Sequence, residues 1–186
     1  EVLTAPANLR SGLARRVERE IDNARAGKPA RVVFKMNALE DLEFTRLLYR
    51  AAQAGVKVDL IIRGICRLRP GIPGLSENVR VVSVIGRFLE HSRLYYFENG
   101  GDPEYFIGSA DIMKRNLDER IEVLAPVRAP EHRRQLDDLV EGMLADQRLL
   151  FVAGRAQQRR LDVQHAQLGH ARIEQRVHVE RAVHQA

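Results

Sequence analysis

The segment from Arg31 to Arg63 constrains the fold more than any other part of the chain. Arg31–Met36 reads as a strand, and a helix follows with Phe44, Leu47, Leu48 and Ala51 on one face, stopped by Gly55. Val56–Ile62 is a second, more continuously apolar strand. Strand, helix and strand within about thirty residues form a βαβ unit. Its two strands run parallel with a right-handed crossover, so the chain is an α/β protein. Arg63 then stands at the carboxyl end of a parallel strand. In open α/β sheets ligands bind at that end, where the loops leaving the strands converge with unpaired backbone groups.

The remaining pattern extends this sheet. Leu9, Leu13, Val17 and Ile21 fall four apart with Arg15, Arg16, Arg19 and Glu20 between them, the stripe of a surface helix ending near Gly27. Gly64 to Asn78, with Pro70, Gly71, Pro73 and Gly74, is a long loop of the kind that is functional or mobile. Val79–Ile85, Leu94–Phe97, Tyr105–Ile107 and Ile121–Val127 read as further strands, the middle two joined by Asn99-Gly100-Gly101-Asp102-Pro103. Pro130 opens a last helix with Leu136, Leu139, Val140 and Met143 toward the sheet. No run approaches the ~18 to 20 apolar residues of a membrane span, and Glu1 to Arg19 lacks signal-peptide architecture, so a soluble protein without a transmembrane segment is expected. Cys66 is the single cysteine, which excludes an intramolecular disulfide and fits a reducing cytoplasm.

The formal net charge is +5, but residues 151–186 carry six Arg against Asp162, Glu174 and Glu180 and so supply +3 of it. The argument for a nucleic-acid partner would rest on that tail, and no such partner is expected. Residues 1–150 are read as one domain and 151–186 as a polar Arg/Gln/His-rich extension, disordered or irregular. Its His165, His170, His178 and His184 are too widely spaced for a metal site, and no metal ligands are expected in this chain.

His91 is the only histidine before His132, and Arg93 lies two residues on, so in an extended segment both side chains leave the same face. An imidazole beside a guanidinium that grips phosphate oxygens suits phosphoryl chemistry. The pattern His91-x-Arg93-x4-Glu98, with Gly108-Ser109-Ala110-Asp111 downstream, resembles a degenerate phospholipase D superfamily motif in which Arg, Glu and Asp stand for Lys, Asp and Asn. A closer resemblance covers residues 3 to about 148. Gly27-Lys28-Pro29-Ala30, Lys35-Met36-Asn37-Ala38-Leu39, Ile62-Arg63-Gly64-Ile65-Cys66, Leu68-Arg69-Pro70-Gly71, Phe88-Leu89-Glu90-His91-Ser92-Arg93, Phe97-Glu98-Asn99-Gly100-Gly101 and Arg115-Asn116-Leu117-Asp118 are similar, in order, to the carboxyl-terminal catalytic domain of bacterial polyphosphate kinases.

The resemblance implies a phospholipase D-like fold, a mixed sheet flanked by helices in a single domain. It implies reversible transfer of the terminal phosphate of ATP to inorganic polyphosphate through a phosphohistidine, with Mg2+. Arg63 matches the family arginine on the nucleotide phosphates, and His91 the second active-site histidine. The phosphate-accepting histidine, the magnesium-binding arginines and the base-holding tyrosine belong upstream of this chain's first residue. ATP or ADP, polyphosphate, the upstream domain and further copies of the enzyme are the implied partners. The implied location is cytoplasmic, with peripheral membrane association of the full enzyme left open. Arg93 and Arg115 are added as candidates for a polyphosphate path, against salt bridges to Glu90, Glu98 or Asp118. Lys35 and Asn37 end a strand near the same edge. Ser109 is either a phosphate donor or, by preference, a small turn residue. Cys66 is read as a packing residue. The alternatives are a non-catalytic polyphosphate or nucleotide binding module and a dimeric phosphodiesterase.

Overall fold

The computed structural model describes residues 1–83 and 91–145. Among them run β1 (Leu3–Ala5), α1 (Leu9–Arg25), β2 (Arg31–Met36), α2 (Leu42–Gln53), β3 (Lys57–Ile62), β4 (Val79–Val82), β5 (Arg93–Phe97), β6 (Glu104–Gly108), β7 (Glu122–Val127) and α3 (Pro130–Ala145). The strands form one sheet in the order β1-β7-β6-β5-β2-β3-β4. β2, β3 and β4 are parallel, and every other neighbouring pair is antiparallel. The sheet is therefore mixed, as expected, with the βαβ unit β2-α2-β3 near one end.

Strand alternation sorts the side chains to two faces. Val32, Phe34 and Met36 of β2 join Tyr95 and Phe97 of β5 in the larger core, which α1 and α2 cover with Leu9, Leu13, Val17, Ile21, Phe44 and Leu48. The Phe34 ring lies 5.0 Å from that of Tyr95 in a tilted contact and 5.5 Å from that of Phe97 in an edge-to-face one, a favourable arrangement of rings. The opposite face carries Val33, Ile61, Leu94, Tyr96 and Tyr105 and is covered by Val140 and Leu144 of α3. An ion network ties that helix down. Buried Asp59 pairs with Arg31 at 2.8 Å, and Arg31 reaches Glu141 of α3 at 2.8 Å.

Four expectations need correction or completion. Leu139 is not on the packing face of α3 but 42% exposed, because Leu136, Val140, Met143 and Leu144 complete the apolar stripe one step around the helix. Glu20, read as part of the polar side of α1, is fully buried and accepts backbone N–H groups from Asn99 (2.8 Å) and Arg31 (3.3 Å). Burial pushes its carboxyl above the usual range even so. The edge strand β1 had no sequence signal, being three residues whose partner β7 lies far along the chain. The long loop 64–78 is pinned: Ser76 Oγ donates to the Arg69 carbonyl and accepts the Ile72 N–H, and the Tyr49 hydroxyl accepts the Arg69 N–H. The expected continuation of β4 to Ile85, and the whole extension 151–186 with its four histidines, lie outside the described residues.

Candidate active site

Because β2 and β3 are parallel while β5 runs against β2, the ends of β2 and β3 meet the start of β5 at one edge of the sheet, and β6 ends there too. The connecting loops knit together at this edge. Arg63 N–H donates to the Met36 carbonyl at 3.3 Å and Gly64 N–H to that of Asn37 at 2.9 Å, while Leu39 bridges to both Cys66 and Ile112. At Gly64 a Cβ would lie 3.1 Å from the Asn37 carbonyl oxygen, a tight approach that would oblige the two loops to separate by a few tenths of an ångström. Arg63 and His91 thus arise from segments two strand spacings apart, about 10 Å between backbones. Arg63 is half-buried, and its Nη1 is enclosed with no hydrogen-bond partner among the described residues. An enclosed cationic donor calls for an acceptor.

On the β5 side the site is built from hydrogen bonds. Arg93, buried at the start of β5, makes a two-pronged pair with Asp111, Nε to Oδ1 and Nη2 to Oδ2, both at 3.1 Å. Asp111 Oδ1 also accepts the backbone N–H of Asn37 at 2.7 Å, tying the end of β2 to the segment after β6. The remaining Arg93 nitrogen, Nη1, lies 2.7 Å from His91 Nδ1 and 2.6 Å from the His91 carbonyl. Buried Lys35 donates to Ser92 Oγ (2.7 Å) and its carbonyl (2.9 Å), which fixes the backbone between His91 and Arg93. His91 itself is exposed.

The sequence candidates therefore separate. His91 and Arg93 do meet on one face, as their spacing predicted. Arg93 is buried, and its ion pair is with Asp111, not with Glu98 or Asp118; Glu90 lies outside the described residues. Glu98 sits past the opposite end of β5, bonded to the Tyr96 hydroxyl. Lys35 and Asn37 serve the site as supports. Ser109 is bonded to Glu122, whose other oxygen accepts from Asn116 Nδ2 at 2.6 Å, so its hydroxyl is occupied in a turn. Burial raises the Cys66 thiol, in keeping with packing and not with nucleophilic reactivity.

Arg115 is exposed, its guanidinium 3.7 Å from Met113 Sδ, and it lines a cleft of about 750 Å³ shared with Arg10, Asp41, Arg67, Lys114 and Asp118. It forms no pair with Asp118, because Arg10 holds Asp118 at 2.6 Å and Asp41 at 2.7 Å. Nothing in the local sequence marked Arg10, whose partners are far along the chain. Asp41 also caps α2, accepting the Phe44 N–H at 2.8 Å. Burial pushes the Asp41 carboxyl up, but the Arg10 and backbone hydrogen bonds outweigh it and hold the group below the usual carboxylate range. A depressed carboxyl stabilises the fold above its unfolded pKa of about 3.9 and loses that contribution as pH falls through its folded value. Asp41→Asn is accordingly expected to flatten the loss of unfolding free energy between about pH 5 and pH 2. Urea titrations of both proteins across that range check it, and parallel curves would refute it.

The family described as "Polyphosphate kinase C-terminal domain 2" matches residues 2–178, further along the chain than the sequence motifs reach. A polyphosphate kinase of Thermosynechococcus vestitus is 54% identical over 148 residues, covering 80% of this chain and 20% of that protein. The crystal structure of a polyphosphate kinase from Porphyromonas gingivalis superposes with a TM-score of 0.75 at 47% identity, over 78% of this chain and 22% of that one. A phospholipase D family member, Nuc from Salmonella typhimurium, superposes with a TM-score of 0.53 at 12% identity, over 77% of this chain and 92% of its own, a likeness of fold alone. The chain spans about a fifth of the length of the polyphosphate kinases it matches.

Proposed function

The chain belongs to the polyphosphate kinase C-terminal domain family, and from that premise we propose that it acts as one catalytic domain of an ATP:polyphosphate phosphotransferase. In this reading the terminal phosphate of ATP passes reversibly to a histidine of an upstream domain and on to polyphosphate. Arg63 and His91 form this chain's share of the centre. Phosphoryl transfer asks mainly for placement and for neutralisation of charge on the equatorial oxygens. The observation that carries the proposal is the enclosed Nη1 of Arg63, unpartnered among the described residues, at the sheet edge where His91 also emerges. A phosphate oxygen supplies the acceptor that this nitrogen lacks, and preorganised donors of this kind act without reorganisation during the reaction. Arg115, exposed at the cleft rim, is the further candidate for contact with a polyanion.

Magnesium belongs to the same proposal, as the usual companion of ATP. Among the described residues no group of three or more His, Cys, Asp or Glu could hold a cation, and no step is routed through the metal. The upstream domain, a homo-oligomer and a cytoplasmic setting complete the reading. Among the described residues no helix is long and apolar enough to cross a membrane.

The test joins the chain to the upstream portion of a polyphosphate kinase and follows labelled phosphate from ATP into polyphosphate. Arg63→Met is expected to lower kcat/KM by about a hundredfold, the scale for one preorganised donor. Activity within twofold of the parent would remove Arg63 from the centre. The isolated chain, given magnesium ATP, is expected to acquire no phosphohistidine.

A further inference from the structure

The contact between Arg93 and His91 fixes more than position. A guanidinium has donors only and no free lone pair, so the nitrogen facing Arg93 Nη1 across 2.7 Å must accept. Nδ1 of His91 is therefore unprotonated, and the ring proton sits on Nε2, on the far side of the imidazole. Imidazolium would set an N–H against an N–H at this distance. The arrangement is braced from behind. The two-pronged pair with Asp111 orients the guanidinium, Asp111 is anchored by the Asn37 N–H, and the His91 carbonyl shares Nη1. Lys35 holds Ser92 in between.

We propose that Arg93 is a positioning residue that keeps His91 as the neutral tautomer protonated on Nε2, so that His91 meets a phosphoryl oxygen as a hydrogen-bond donor. This rests on the phosphotransfer reading of His91 and specifies it. A neutral Nε2–H polarises an oxygen without giving up its proton, since loss of that proton would leave an imidazolate. Nor can Nε2 attack phosphorus while protonated, and moving the proton to Nδ1 would break the bond to Arg93. The ring is thereby neither nucleophile nor general acid. No covalent bond to His91 forms in the transfer, and its contribution is to the charge on the phosphoryl oxygens. Second-sphere partners that set a histidine tautomer elsewhere do so by the same geometry.

The experiment is nitrogen NMR of the full chain labelled with 15N-histidine, at about pH 8, where free imidazole is neutral. His91→Gln identifies the His91 signals, and exposed His132, identified in the same way by His132→Gln, serves as the internal reference. Wild type is expected to show Nε2 protonated and Nδ1 bare, with a tautomer ratio at least about tenfold beyond that of His132, as a hydrogen bond to a charged donor implies. In Arg93→Met/Asp111→Asn, which removes both charges together, the two His91 nitrogens should move to the His132 values. A proton on Nδ1 in wild type, a wild-type ratio equal to that of His132, or His91 signals unchanged in the double variant would each overturn the proposal. If the double variant fails to fold, the wild-type ratio still decides. Unaltered phosphate transfer by His91→Ala in the joined enzyme would defeat the catalytic reading of His91 and leave the tautomer assignment standing.

Discussion

Asp111→Ala is expected to lower the unfolding free energy by about 3 to 5 kcal/mol, the scale for stripping one partner from a buried ion pair. The side chains of Arg93 and Asp111 are only 7% and 9% exposed, so solvent cannot take over the guanidinium once the carboxylate is gone. The same substitution orphans the Asn37 N–H at the end of β2. The loss is a penalty of uncompensated charge and not the net worth of the pair. Arg93→Met/Asp111→Asn, which leaves neither charge and keeps an acceptor for Asn37, should therefore recover most of the stability. Urea unfolding of the single and double variants measures both halves of the statement. A single variant within 1 kcal/mol of wild type would mean that the pair is wetter or looser than its geometry indicates. Because Arg93 in turn holds His91, the stability of this corner and the placement of His91 depend on one carboxylate.

That carboxylate also marks the limit of what the sequence disclosed. The βαβ unit was legible because its cues are local: apolar runs, a helix stripe and a stop at Gly55 within one short stretch. The position of Arg63 followed from it, and β2 was read with its observed bounds. His91 with Arg93 was legible through a spacing of two in extended backbone. Motif order drew attention to Gly108-Ser109-Ala110-Asp111, yet nothing in it said that Asp111 would be the partner of Arg93. That pairing exists because β5 and β6 are adjacent and antiparallel, with Arg93 opposite Gly108, a fact of register and not of composition. Glu98 illustrates the converse. It completes the motif in sequence, but the five residues of β5 carry it to the other end of the strand. Arg10, Glu20 and β1 were missed for a related reason. Their partners, Asp118, Asn99 and β7, lie many tens of residues away, and a charged residue that will be buried looks in sequence like one that will not.

Gly108→Ala tests that register at its tightest point. A Cβ on Gly108 would lie 1.9 Å from the Val123 carbonyl oxygen and 2.8 Å from Leu124 Cδ2, well inside contact distance, and the first of these atoms is backbone. No rotamer can relieve it, so β7 must move away from β6. That movement pulls on the Ser109 N–H bond to the Val123 carbonyl (3.1 Å) and on Glu122, which holds Ser109 and Asn116 together. Gly108 is exposed, so the added methyl gains no burial in exchange. The expected cost is about 3 kcal/mol, at the upper end for overpacking, equivalent to a fall in Tm of roughly 6 to 12 °C for a domain of this size. Gly142→Ala, in α3 with nothing among the described residues within 4 Å of the new atom, is the control and should stabilise by about 0.5 to 1 kcal/mol through helix propensity. Calorimetric melts of the two variants should therefore diverge in sign. Coincident melting temperatures would mean that β6 and β7 part without cost, and the segment from Gly108 to Asp111 that carries the Arg93 partner would not be rigidly placed.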